Sequence, residues 1–99
     1  MTISIQYVKM PESETMSTYT ISRLEKLAKK YDWIINAEVF FKLDKDSAGF
    51  NKICEIELSA PGPRIYASSK ERNFEIAVKG TVSDLEKQLK KRKSTFTHH

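Results

Sequence analysis

Residues 35–43 read Ile35-Asn36-Ala37-Glu38-Val39-Phe40-Phe41-Lys42-Leu43. The odd positions are all apolar, and the even ones are polar apart from Phe40. Alternation with period two places successive side chains on opposite sides of a pleated strand, so the stretch predicts a strand with one strongly apolar face. Such a face must be covered, and the flanking sequence supplies both neighbours and cover. Downstream, residues 44–49 have the composition of a loop. Cys54, Ile56 and Leu58 then alternate with Glu55 and Glu57, which predicts another strand. Pro61-Gly62-Pro63 is a turn, and residues 64–69 form a short strand with Ile65 and Ala67 inward. Short links between these three strands predict an antiparallel meander.

Upstream, Ile3, Ile5 and Tyr7 alternate with Ser4 and Gln6, predicting a first strand that ends before Pro11. Ser13 or Thr15 can cap a helix over about 14–31, whose apolar stripe is Ser17, Thr20, Ile21, Leu24, Leu27, Ala28 and Tyr31. A last helix over about 73–92 carries the stripe Phe74, Val78, Thr81, Val82, Leu85 and Leu89. Gly80 within it costs about 1 kcal/mol relative to Ala, and Ile76 falls off the stripe. The order β-α-β-β-β-α predicts an α+β fold, a four-stranded sheet with both helices packed on one face. Glu38, Phe40, Lys42, Glu55 and Glu57 would lie on the open face. The expected organisation is a single domain over residues 1–93 with a flexible tail at 94–99.

The chain has 99 residues, 39% hydrophobic and 30% charged, with 3 Gly, 3 Pro and 1 Cys. Those values describe a folded domain and exclude a disordered segment, a collagen-like repeat and a disulfide scaffold. No apolar run is long enough to span a membrane, and the first residues do not have the pattern of a signal peptide. The single Cys54 fits a reducing, cytoplasmic setting.

Little in the sequence is equipped for catalysis. The only histidines, His98 and His99, stand at the chain end, where neither a general base nor a metal site is held in place. Cys54 lies mid-strand on the apolar side, as a small buried hydrophobe does. Glu55 and Glu57 share an open sheet face that has no means of shifting a carboxylate pKa. No glycine-rich phosphate loop is present. Catalytic residues, metal, cofactor and small-molecule substrate are therefore not expected.

The charge is more informative. The formal net charge is +4. Residues 1–50 hold 7 basic and 7 acidic groups, whereas residues 79–93 hold 6 basic and 2 acidic ones. A basic excess of this kind suits a polyanionic partner, nucleic acid first. The first half's balance conceals a second feature. Tyr19, Arg23, Lys26 and Lys30 recur at spacings of 4, 3 and 4, which makes one strip beside the apolar stripe of the first helix. On the last helix Lys79, Ser83, Lys87, Lys90 and Lys91 form a strip opposite the apolar one. One basic helix face is commonly just solvated. Two such faces side by side are better suited to successive phosphates, with salt-sensitive and largely sequence-neutral affinity. Tyr19 is a candidate for stacking on a base or sugar. A membrane surface would need large exposed apolar residues beside the basic strip, and neither helix supplies them.

Several stretches carry a family resemblance. They are Arg23-Leu24-Glu25-Lys26-Leu27, Ile35-Asn36-Ala37-Glu38-Val39, Ala67-Ser68-Ser69-Lys70 and Asp84-Leu85-Glu86-Lys87-Gln88-Leu89-Lys90-Lys91. Together, over about residues 2–93, the chain resembles the ribosome hibernation-promoting factors, also called ribosome-associated inhibitors or sigma-54 modulation proteins. It resembles their short form, without the second, dimer-forming domain of long members. The resemblance implies a fold like that of double-stranded RNA-binding domains. It also implies binding to the small (30S) ribosomal subunit and the 70S ribosome, in the channel of mRNA and of A- and P-site tRNA, under starvation or stationary phase. It implies that Arg23, Lys26, Lys30, Lys87, Lys90 and Lys91 contact 16S rRNA. Lys79 joins them on helical geometry alone. The segment Asn73-Phe74-Glu75 departs from the Asp-x-Tyr-like start of the family's second helix, and Gly80 is unusual there.

The expected function is thus a non-enzymatic ribosome hibernation factor of the cytoplasm that inhibits translation, with no membrane partner. Two alternatives stand beside it. One is a general double-stranded RNA-binding module. The other is a protein-interaction module that uses the open sheet face around Phe40, Glu55 and Glu57.

Overall fold

The computed structural model describes residues 1–46 and 48–97. The order is β1 (Thr2–Tyr7), α1 (Glu14–Lys30), β2 (Asn36–Leu43), β3 (Lys52–Ser59), β4 (Ile65–Glu71) and α2 (Phe74–Thr97). The strands form one sheet in the order β1-β2-β3-β4. β1 pairs with β2 in parallel, and β2–β3 and β3–β4 are antiparallel. A parallel pair needs a crossover, which α1 provides, while the meander needs only turns. The predicted fold class is the observed one.

Local chemistry sets the helix starts. Ser13, rather than Thr15, caps α1, and its hydroxyl accepts from the Met16 amide at 3.2 Å. Asn73 does the same for α2, accepting from the Ile76 amide at 2.8 Å. The apolar stripes of both helices meet the inward faces of the strands. Leu24, Leu85 and Leu89 from the helices, with Phe41, Cys54, Ile56 and Leu58 from the sheet, are all fully buried. Thr81, also buried, donates its hydroxyl to the Ala77 carbonyl at 2.8 Å and to the Cys54 carbonyl at 3.2 Å, which ties α2 to β3.

Four details differ from the sequence reading. Alternation predicts Ile35 on the buried face, but it is 56% exposed. It precedes β2, where alternation no longer sets the side, and Ile34 is buried instead. Leu43, at the far end of β2, is 40% exposed because a strand end lies past the helical cover. The second difference is the length of β3 and β4, each extended beyond its apolar residues by ladder pairs such as Lys52 with Glu71. Third, α2 does not stop near Arg92 but continues through residues 94–97. Arg92 reaches the β3–β4 turn and donates to the Pro61 and Pro63 carbonyls at 3.2 and 2.5 Å. Further on, Phe96 packs edge-on against Trp33 with ring centroids 4.9 Å apart. These tertiary contacts hold a stretch that lacks an apolar stripe of its own. His98, His99 and Ser47 lie outside the described residues.

The fourth detail is Gly80. A Cβ there would meet the Ser69 hydroxyl at 3.0 Å. Ser69 has the inward parity of Ile65 and Ala67, so the glycine admits a close approach of α2 to β4.

Candidate nucleic-acid interface

α1 and α2 pack side by side. Their apolar stripes are turned to the sheet, which leaves their adjoining outer flanks as the walls of a groove. Leu27 and Val82 lie at its floor. Arg23, Lys26 and Lys30 line one wall from α1. Lys87 and Lys90 line the other from α2, with Ser83 and Glu86 beside them. Lys30 and Glu86 border both clefts, so the two parts of the groove adjoin at this pair.

Five of the seven predicted basic residues therefore come together. Within the groove, Lys30 Nζ donates to Glu86 Oε2 at 2.7 Å across the two helices. The hydrogen bond and charge of Glu86 hold the Lys30 ammonium above its ordinary pKa, so it stays protonated. Arg23 sits over the Tyr19 ring at 5.9 Å. Lys26, Lys87 and Lys90 are exposed, and among the described residues they make no salt bridge.

The other two predicted basic residues stand apart. Lys79 is 3.9 Å from Glu75, one turn earlier on α2, and lines neither part of the groove. Lys91 lines a separate cleft between α2 and β4, with Ile65, Gln88 and Arg92. One residue of rotation, about 100°, carries it past the groove wall that Lys90 occupies. Tyr19 also differs from expectation. Its ring is half-buried and packs on the core, and its hydroxyl is buried without a partner among the described residues. The ring packs partly on the core and has Arg23 over it at 5.9 Å.

Glu86 belongs to no basic strip in the sequence. The structure nonetheless sets it inside the groove, between lysines of both helices. It also gives Arg92 a structural task at the turn, and it places Lys93 over the Tyr31 ring at 5.8 Å. No spacing rule within one helix reveals a contact between two.

Elsewhere the surface is less suggestive. On the open sheet face Lys42 pairs with Glu55 at 2.8 Å and sits over the Phe40 ring at 5.8 Å. Arg64 pairs with Glu57. The charges of that face are largely matched among themselves. Cys54 is buried, and desolvation pushes its thiol up to about 12 despite the opposing Thr81 contact. It is no nucleophile near neutral pH. Among the described residues no cluster of three or more His, Cys, Asp or Glu could hold a metal ion. Among the described residues no helix is long and apolar enough to cross a membrane.

Residues 3–96 match the family described as sigma 54 modulation protein / S30EA ribosomal protein. The chain belongs to this family. Among its relatives is a ribosome hibernation promoting factor of Pseudomonas putida, 26% identical over 91 residues, or 92% of this chain and 83% of the relative. Two solved structures share the family fold. A ribosomal subunit interface protein from Coxiella burnetii superposes with a TM-score of 0.85 at 24% identity, covering 95% of this chain and 99% of that one. The N-terminal domain of Thermus thermophilus Protein Y gives a TM-score of 0.72 at 19% identity, covering 91% and 93%. Family membership agrees with the resemblance drawn from the sequence.

Proposed function

We propose that this protein is a ribosome hibernation factor that binds the small ribosomal subunit and inhibits translation by occupancy rather than by catalysis. The observation that carries it is the run of cations along the seam of the two helices, with Arg23, Lys26 and Lys30 in one part of the groove and Lys30, Lys87 and Lys90 in the adjoining part. Helix-borne cations at one-turn spacing match successive phosphates of an RNA backbone. The target comes from the family and from a relative named for ribosome hibernation. On this proposal the groove lies on 16S rRNA in the channel of mRNA and of A- and P-site tRNA, and the protein acts in the cytoplasm under starvation. Lys91 adds a contact on the outer flank of α2, and Lys79, which lines neither part of the groove, contributes little.

Sedimentation with 30S and 70S particles over a salt series tests the proposal. Salt-sensitive co-sedimentation, lost in a Lys87→Glu/Lys90→Glu variant that still folds, is the expected result. Absence of binding at low salt, or binding indifferent to salt, refutes it. A general duplex-RNA binder would be released from 30S subunits by an equal mass of unrelated duplex RNA. A ribosome-specific factor would not be.

A further inference from the structure

The groove contains one carboxylate among its cations. Arg23, Lys26, Lys30, Lys87 and Lys90 line it, and among the described residues Glu86 is the one acid that does. Glu86 is central, not peripheral, because it borders both parts of the groove. It is bonded to Lys30 on the opposite helix at 2.7 Å. On its own helix it stands one turn before Lys90, a spacing at which the two side chains can also meet. The pair is solvent-accessible, with side-chain exposures of 66% for Lys30 and 35% for Glu86, so either partner can be exchanged without opening the fold.

A carboxylate in that place does two things to an incoming polyanion. It occupies a cation that a phosphate would otherwise neutralise, and it presents a like charge at the middle of the phosphate track. We propose that Glu86 is an internal counter-charge that competes with RNA phosphate for Lys30, and so sets both the affinity and the salt dependence of the groove. This rests on nucleic-acid binding in the groove, as proposed above. In the free protein Lys30 belongs to Glu86. While that pair persists, Lys30 is withheld from RNA phosphate, and the groove makes one contact fewer than its cations allow. The groove thus binds less tightly than its cations would allow, and the complex is correspondingly easier to reverse.

The test compares the wild type with Glu86→Gln and Glu75→Gln, using purified 30S subunits and a salt series. Both variants remove one negative charge from α2, but Glu75 pairs with Lys79 outside the groove. Freeing Lys30 for one more phosphate contact steepens the slope of log K against log salt by about 0.7–0.9, which is about five- to eightfold tighter binding at 0.1 M salt. That gain in Glu86→Gln, with wild-type behaviour in Glu75→Gln, is the expected result. An equal gain in both variants would show an effect of net charge alone and overturn the proposal. Unchanged or weaker binding in Glu86→Gln would overturn it too, the latter by showing that Glu86 positions Lys30. In each of these cases the wild type still binds with salt sensitivity, so the proposed function stands. Salt-indifferent or absent binding by the wild type would remove both.

Discussion

Replacing Lys90 by Gln gives the sharpest measure of how the groove works. Lys90 is exposed, lines the groove from α2 and makes no salt bridge among the described residues. Gln keeps helix propensity and a polar side chain only one atom shorter, so the main loss is the charge. Four groove cations are free of a carboxylate in the unbound protein, namely Arg23, Lys26, Lys87 and Lys90. If each neutralises one phosphate, the groove's share of the slope of log K against log salt is about −3 to −3.6, at about 0.7–0.9 per contact. That share lowers affinity for 30S subunits about 50- to 150-fold between 50 and 200 mM salt. Lys90→Gln removes one contact, the slope becomes shallower by about 0.7–0.9, and the fall shrinks to about 20- to 40-fold. Quantitative co-sedimentation at four or five salt concentrations resolves that difference. Lys79→Gln is the matched control, because Lys79 is also on α2 but lies outside the groove. An unchanged slope in Lys90→Gln, or an equal change in Lys79→Gln, would refute the groove as the contact surface.

Three further outcomes concern the frame that holds the groove. Arg92→Ala removes two hydrogen bonds to the Pro61 and Pro63 carbonyls. It is expected to cost about 1 kcal/mol of stability in urea titrations, with 30S binding unchanged well below the melting temperature. Phe96→Ala removes the ring packed on Trp33. About 1 kcal/mol is lost, the end of α2 frays, and emission from Trp33, the single tryptophan, shifts to the red. For Cys54, burial raises the thiol from an ordinary 9.0 to about 12 in the folded protein. Between those values the unfolded chain has released its proton while the folded one keeps it, so stability falls as pH rises. The stability difference between wild type and Cys54→Ala, followed by urea titration, is expected to be constant up to about pH 8 and to move against the wild type from pH 9 to 11.

Most of the fold was legible because its signals are local. Period-two alternation marks the strands, and 3.6-residue periodicity marks both helices. Gly80 and the end of α2 were not legible. The reason for Gly80 is the Ser69 hydroxyl on a strand distant in sequence, and residues 94–97 are helical alongside contacts of Arg92 and Phe96 with turns and rings elsewhere. Ile35 shows the same limit from the other side. Its parity is right for the core, but it stands one residue outside the ladder that makes parity meaningful.

By itself the sequence determined that two basic helix strips accompany two apolar stripes, since both follow from residue spacing on a helix of known pitch. It also determined the family, through motifs spread along nearly the whole chain. The tertiary structure decided which cations share a groove. It joined Arg23, Lys26 and Lys30 to Lys87 and Lys90, turned Lys91 to another cleft, left Lys79 with Glu75, and set Glu86 among the lysines. Charge density along a chain is a one-dimensional quantity. The field that an RNA phosphate meets depends on distances between side chains of different helices, and only packing sets those.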